Sequence, residues 1–145
     1  MPPIPRLAIW LGYAGLLPFL ITAFGAWVAP AEWRGTALLA LAAYGAVILS
    51  FLGAVHWGFV MCAPAEAATA PRLVLGVAPA LIGWVGLLPP AAPGLVVLAL
   101  GILATTTMEA VAAGRGLLPE GYLRLRWRLS LAGAGCLLAG AVGAR

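Results

Sequence analysis

The chain contains no lysine, aspartate, asparagine or glutamine, and it has a single histidine, His56. Without aspartate or lysine, and with one histidine, most side-chain constellations that catalyse hydrolysis cannot be assembled. The sequence also lacks a GxSxG nucleophile elbow, an HExxH zinc motif and a phosphate-binding glycine loop. We therefore expect a protein that is not an enzyme.

Cysteine and charge are also scarce. Two cysteines, Cys62 and Cys136, are too few for a disulfide framework, and their spacing is not that of a metal site. Charged residues make up 8% of the chain, whereas soluble domains have about 25%. Nucleic acid binding needs a basic face on a water-exposed surface, which so apolar a chain lacks despite its net charge of +4. We therefore exclude nucleic acid as a partner and expect no metal and no cofactor.

Long apolar runs dominate the sequence, in which 64% of the residues are hydrophobic. A helix that crosses a bilayer needs about 20 mostly apolar residues, and five segments qualify. We predict an all-α, polytopic membrane helical bundle, a single domain over residues 1–145. Pro18 and Pro79 fall inside the first and third segments, where proline usually kinks a helix. The five predicted transmembrane helices are 7–29, 36–62, 72–88, 94–113 and 122–144.

The connections between these segments, at 30–35, 63–71, 89–93 and 114–121, are too short for a soluble domain. Arginines are distributed unequally between the two sides of the membrane. Positive residues favour the cytoplasmic side, so we predict a cytoplasmic N-terminus and a C-terminus outside. One side receives Arg6, Arg72, Arg115, Arg124, Arg126 and Arg128, and the other receives Arg34 and Arg145.

Small residues recur at helical spacing in the second and third segments. In lipid, helices associate through close packing of small residues and through hydrogen bonds. We therefore predict packing between helices along these stripes. They are Ala46, Ser50, Ala54 and Gly58 in the second segment, and Gly76, Ala80 and Gly83 in the third.

Two ionisable residues, His56 and Glu109, lie inside predicted helices. They fall at similar depth in the cytoplasmic leaflet, because the second and fourth helices both run inward. A charged carboxylate near the bilayer centre costs at least about 2.5–3.5 kcal/mol, and a His–Glu contact lowers that cost. We predict an intramembrane polar pair of His56 and Glu109, supported by Thr105, one turn from Glu109, and by Ser50.

The favoured role of this polar pair is to join helices. The alternatives are a proton- or ion-linked site, a pocket for a ligand or lipid head group, and haem ligation. Haem ligation would need a second axial ligand from Met61, Met108 or another subunit. For Thr105 and its neighbours, we expect hydroxyls that bond back to their own helix, as threonines in helices often do.

A cluster of aromatic and basic residues begins the fifth segment. Rings at head-group depth and guanidiniums near phosphate are typical of an interfacial belt, so these residues are predicted to contact lipid or a partner. Arg124 and Arg128 share one helix face, whereas Arg126 points elsewhere and is a candidate partner for Glu109 or Glu120. The belt is either an ordinary anchor or a specific site for an anionic lipid or partner. Its members are Tyr122, Arg124, Arg126, Trp127 and Arg128.

Four blocks, in order, resemble a small bacterial membrane family whose eukaryotic member is transmembrane protein 69. The blocks are LGYAGLLPF (11–19), YGAVILSFLGAVHWG (44–58), APALIGW (78–84) and GLLPEGYLRLRWRLS (116–130). The chain has Glu109 where the family pattern has aspartate, and Gly121 where it has tryptophan. The resemblance implies a multi-pass protein of the bacterial inner membrane, and it implies no activity.

These observations favour a non-enzymatic scaffold, assembly or accessory subunit of a larger membrane complex, possibly energy-transducing in kind. Its partners would be the lipid bilayer, other membrane subunits or a second copy of itself. The alternative is a small homo-oligomeric transporter or proton-linked permease that uses His56 and Glu109. A third hypothesis, an enzyme acting on lipid through the arginine belt, lacks a convincing nucleophile.

Overall fold

A computed structural model of the chain describes residues 4–62, 70–113 and 121–144. Every regular element in these ranges is an α-helix, as the composition predicts. The predicted connections at 63–71 and 114–121 lie almost wholly outside the described residues, together with Arg115, Glu120 and Arg145. The helices are α1 (Arg6–Ala14), α2 (Leu17–Val28), α3 (Ala31–Cys62), α4 (Ala70–Gly86), α5 (Ala91–Ala113) and α6 (Tyr122–Gly143).

The first predicted helix is broken into α1 and α2 at Gly15. Pro18 lies in the first turn of α2, where its missing N–H removes no helical hydrogen bond. The Tyr44 hydroxyl of α3 donates to the carbonyl of Gly15 at 2.8 Å and so supplies a partner at the break. The predicted distortion near Pro18 is confirmed, whereas Pro79 lies inside α4 without ending it.

The predicted loop at 30–35 is wrong, because α3 already begins at Ala31. The amides of Trp33 and Arg34 donate to the carbonyl of Pro30. Glu32 lies in the first turn, where a negative charge favours the positive end of the helix dipole. The helix α5 likewise begins at Ala91, three residues before the prediction, and the other boundaries agree within about two residues.

Within the described residues, three helical stretches are long and apolar enough to cross a bilayer: Arg6–Val28, Ala31–Cys62 and Ala91–Val111. The helix α4 is apolar but has 17 residues, and α6 has 22 residues with three arginines near its start. Large apolar side chains, among them Trp10, Phe24 and Phe51, are exposed on the outside of the bundle. This arrangement is that of a membrane protein, because lipid rather than water surrounds such a surface.

The long helix α3 packs against α2, α4 and α5, and α6 packs against α5 and α2. The backbones of α3 and α4 approach closely. A Cβ at Gly53 would lie 2.6 Å from the carbonyl oxygen of Gly76, and one at Gly83 would lie 3.0 Å from that of Ala46. The predicted packing of small residues is therefore confirmed for Gly76, Gly83 and Ala46. It is wrong for Gly58, because a Cβ there would meet nothing within 4 Å.

Candidate functional site

Glu109 of α5 is the centre of a buried polar network, with 2% of its side chain exposed. The Tyr122 hydroxyl donates to Oε1 of Glu109 at 2.8 Å. The Arg126 Nε–H donates to Oε2 at 2.7 Å. Tyr122 and Arg126 are four residues apart on α6 and therefore share a face of that helix. Side chains of α6 thus donate hydrogen bonds to both carboxylate oxygens of Glu109 on α5.

The network continues from Arg126 to Ser130, one turn further along α6. Nη1 of Arg126 donates to the Ser130 hydroxyl at 3.2 Å, and Ser130 lies 2.7 Å from the hydroxyl of Thr106 on α5. Thr106 donates its proton to the carbonyl of Ile102 at 2.9 Å. Because a hydroxyl has one proton, Ser130 must donate to Thr106. The network therefore has a single direction, from Arg126 through Ser130 and Thr106 to the backbone.

The Arg126–Glu109 ion pair is electrically neutral as a unit. A buried charge without a partner is costly, and removing one member of such a pair typically costs about 3–5 kcal/mol. Both charges here also have further hydrogen bonds, to Tyr122 and Ser130. Chemically, the arrangement links α5 to α6 and sets their register along the helix axes.

His56 of α3 is also buried, with 5% of it exposed. It shares no hydrogen bond with Glu109, and its Nε2 has no partner among the described residues. The predicted direct contact is therefore not formed, because Tyr122 and Arg126 are the donors to the Glu109 carboxylate. A buried nitrogen left unpaired in this way costs about 1–3 kcal/mol.

The two predicted supporting residues bond to their own helices. Thr105 is buried and donates to the carbonyl of Gly101 at 2.8 Å. Ser50 donates to the carbonyl of Ala46 at 2.9 Å. The expected back-bonding of the threonines is confirmed, since Thr107 does the same with Leu103. The threonine that joins the network is Thr106, three residues before Glu109.

The predicted arginine belt divides into two groups. Arg124 and Arg128 are exposed and Trp127 is partly exposed, so these three stay available for lipid or a partner. Arg126, with 7% exposed, does not belong to that surface, because it pairs with Glu109. Tyr122 is directed to the same carboxylate. Of the two acidic residues proposed for Arg126, Glu109 is paired with it, and Glu120 lies outside the described residues.

Two members of the network, Ser130 and Thr106, were not predicted from the sequence. The available signal was the spacing of Tyr122, Arg126 and Ser130, which are each four residues apart. Such spacing puts all three on one stripe of α6. Thr106 and Glu109, three apart on α5, form the matching stripe.

The described residues hold no group of three or more His, Cys, Asp or Glu side chains that could bind a metal ion. Met61 and Met108, the proposed second haem ligands, are exposed on the helix surfaces, whereas His56 is buried.

A cavity of about 150 Å³ lies beside the network. Arg126 and Ser130 form its polar part, and the rest of its lining is apolar. The apolar lining comes from α1, α2, the turn between them, α3, α5 and α6. Those residues are Leu11, Gly12, Gly15, Leu16, Phe19, Ile48, Phe51, Leu52, Ile102, Leu129 and Gly133.

Comparisons with known proteins agree with this architecture. The family described as "Protein of unknown function (DUF3429)" matches residues 4–142. Transmembrane protein 69 of Xenopus tropicalis is 40% identical over 87 residues, which are 58% of this chain and 33% of that protein. The chain thus covers a third of the length of that relative. No solved structure is a significant match. The resemblance seen in the four sequence blocks is confirmed.

Proposed function

The chain belongs to the DUF3429 family, and from this premise we propose that it is a non-enzymatic subunit of a larger membrane complex. Its role there is that of a scaffold, assembly or accessory subunit, and an energy-transducing complex is the first candidate. The observation that carries the proposal is the Arg126–Glu109 pair. Among the described residues, the carboxylate in the bundle interior is that of Glu109, and it is paired with the permanently charged guanidinium of Arg126. Such a pair suits a structural link between α5 and α6.

The outside of the bundle supports the same proposal. Exposed aromatic and aliphatic side chains, among them Trp10, Trp33 and Trp84, cover its helices. Aromatic residues and arginine are the types enriched where proteins bind one another. Arg124 and Arg128 are exposed as well, in the first two turns of α6. A partner within the membrane would therefore meet exposed apolar side chains and two exposed arginines.

We further propose five membrane-spanning helices in a bacterial inner membrane, with α1 and α2 together forming the first. The third and fifth would be α4, which is short, and α6, whose Arg126 is neutralised by Glu109. The N-terminus would be cytoplasmic, because the arginines favour that orientation by six to two.

A native pull-down tests the proposal. The tagged full-length chain is extracted from its own membranes in mild detergent, and the proteins retained with it are identified by mass spectrometry. The control is an unrelated membrane protein with five helices, which is tagged and expressed in the same way and defines the background. A stoichiometric set of subunits from one complex is expected. A lone homo-oligomer with nothing else retained would contradict the proposal.

The second candidate is a homo-oligomeric transporter or proton-linked permease. One observation favours it: the Nε2 of His56 is buried without a hydrogen-bond partner among the described residues, as expected of a group that exchanges partners. This function predicts pH-dependent transport by the protein in proteoliposomes, lost in both His56→Phe and Glu109→Gln. Transport that survives both substitutions would exclude these residues from the path.

A further inference from the structure

We propose that the cavity beside Arg126 binds a lipophilic molecule through a neutral carbonyl group, which accepts a hydrogen bond from Arg126. The proposal does not depend on membership of a larger complex. A scaffold and a transporter could each hold such a ligand.

The walls of the cavity fit an apolar ligand that arrives from the bilayer. Leu11 and Phe51 line the cavity and are also exposed on the outside of the bundle, so the cavity communicates with the lipid-facing surface. Its volume is about 150 Å³, and a dry cavity of that size holds roughly one six-membered ring. The ligand therefore inserts one ring or a short length of chain, and the remainder lies among the surrounding lipids.

One buried donor without an acceptor belongs to the polar lining of the cavity. Arg126 lines the cavity and uses Nε for Glu109 and Nη1 for Ser130, whereas Nη2 is buried with no partner among the described residues. His56 does not line the cavity, so it is not part of this site. Because buried polar groups nearly always have partners, the Nη2 of Arg126 points to an acceptor that a ligand supplies.

The charge balance identifies the acceptor as neutral. Glu109 already compensates the positive charge of Arg126 at 2.7 Å. A second anion would leave an uncompensated negative charge in a site walled by apolar side chains, which is strongly unfavourable. A carbonyl oxygen accepts a hydrogen bond without adding charge. Two membrane molecules provide it on an apolar body: a diacyl phospholipid with its ester carbonyls, and a quinone with its ring carbonyls.

Photo-crosslinking tests the proposal on the full-length chain in mild detergent. The probe is phosphatidylcholine with a photoreactive group on one acyl chain, and the labelled residues are mapped by mass spectrometry. Labelling of the buried cavity residues Phe19, Leu52 or Ile102 is expected. Labelling spread evenly over exposed residues such as Leu131 would overturn the proposal.

Three competitors identify the chemistry that the site recognises. Diacyl phosphatidylcholine is compared with its diether analogue, which has the same shape and lacks the ester carbonyls, and with ubiquinone-1. Losing the carbonyl should weaken competition by about 2- to 10-fold. Stronger competition by the diacyl lipid assigns the ester, and stronger competition by ubiquinone-1 assigns the quinone. Equal competition by the diether and diacyl lipids, with no effect of ubiquinone-1, would overturn the proposal.

Single substitutions distinguish a loss of ligand binding from a loss of the fold. Ile48→Phe puts a larger side chain into the cavity. It should reduce labelling about tenfold, because the ligand and the new ring would compete for the same space. Leu131→Phe is the matched control, because Leu131 is exposed on α6 and does not line the cavity. Arg126→Lys keeps a positive charge beside Glu109 and removes the Nη2 donor, so it should weaken labelling about 2- to 10-fold. His56→Phe is a second control, because His56 does not line the cavity. Unchanged labelling in both Ile48→Phe and Arg126→Lys would contradict the proposal.

Discussion

Arg126 donates its Nε–H to Oε2 of Glu109 across 2.7 Å, and both side chains are almost fully buried. The two residues belong to successive helices, α6 and α5. Arginine stays protonated under all ordinary conditions, so Glu109 always has its counter-charge beside it. The contact is therefore a permanent link between these helices.

The first prediction concerns this ion pair. Glu109→Leu and Arg126→Met should each destabilise the protein by about 3–5 kcal/mol, because each leaves one buried charge alone. The double variant should recover most of that loss, since it removes both charges together. Thermal unfolding in detergent, followed by tryptophan fluorescence, measures all four proteins. Losses that simply add in the double variant would show that the two residues act independently.

The second prediction concerns His56. His56→Phe should leave the stability unchanged or raise it slightly in ligand-free detergent, because the substitution removes a buried nitrogen that has no partner among the described residues. The same unfolding measurement applies, with Glu109→Leu as the reference for a lost contact. A destabilisation as large as that of Glu109→Leu would instead support the direct His56–Glu109 pair expected from the sequence.

The third prediction concerns the close approach of α3 and α4. Gly53→Ala should cost about 1–3 kcal/mol, because the new Cβ would lie 2.6 Å from the carbonyl oxygen of Gly76 and must push the helices apart. Gly58→Ala, on the same helix, meets nothing within 4 Å. That control should be neutral or stabilise the protein by up to about 1 kcal/mol through helix propensity. Equal effects of the two substitutions would rule out the proposed helix contact.

The fourth prediction concerns orientation. Cys62 is exposed at the end of α3, whereas Cys136 is partly buried within α6. With a cytoplasmic N-terminus, Cys62 lies at the cytoplasmic end of its helix. A membrane-impermeant maleimide should therefore label it in inverted membrane vesicles and spare it in intact spheroplasts. Cys62→Ser controls for labelling at Cys136, and labelling of Cys62 from the outside would reverse the proposed topology.

The helices were predictable because their driving force is local. Apolar runs of sufficient length predict membrane helices wherever they occur, and Pro18 marked the break in the first one. The start of α3 was harder to predict, because Glu32 and Arg34 look like a polar loop although they occupy its first turn. A hydropathy profile counts Glu32 as polar and does not show that a negative charge in the first turn stabilises a helix.

The polar site was only partly predictable, because depth in the membrane does not identify neighbours. His56 and Glu109 were matched by depth alone, but depth cannot decide which helix lies against α5. Tyr122 and Arg126 meet the carboxylate because α6 packs on α5. Arg126 was set apart from the belt on sequence grounds, with Glu109 as one candidate partner, which the ion pair confirms. Tyr122 and Ser130 were not placed on the same inward stripe as Arg126.

The ion pair has a consequence for how the protein is made. The helix α6 is not among the described helices that are apolar enough to cross a bilayer by themselves. An arginine inside a membrane helix is costly, and Glu109 on α5 offsets that cost for Arg126. Since α5 is synthesised first, its acid is already in place when the arginine emerges from the ribosome. In the proposed five-helix topology, biogenesis thus couples the two helices, because α6 enters the membrane together with α5.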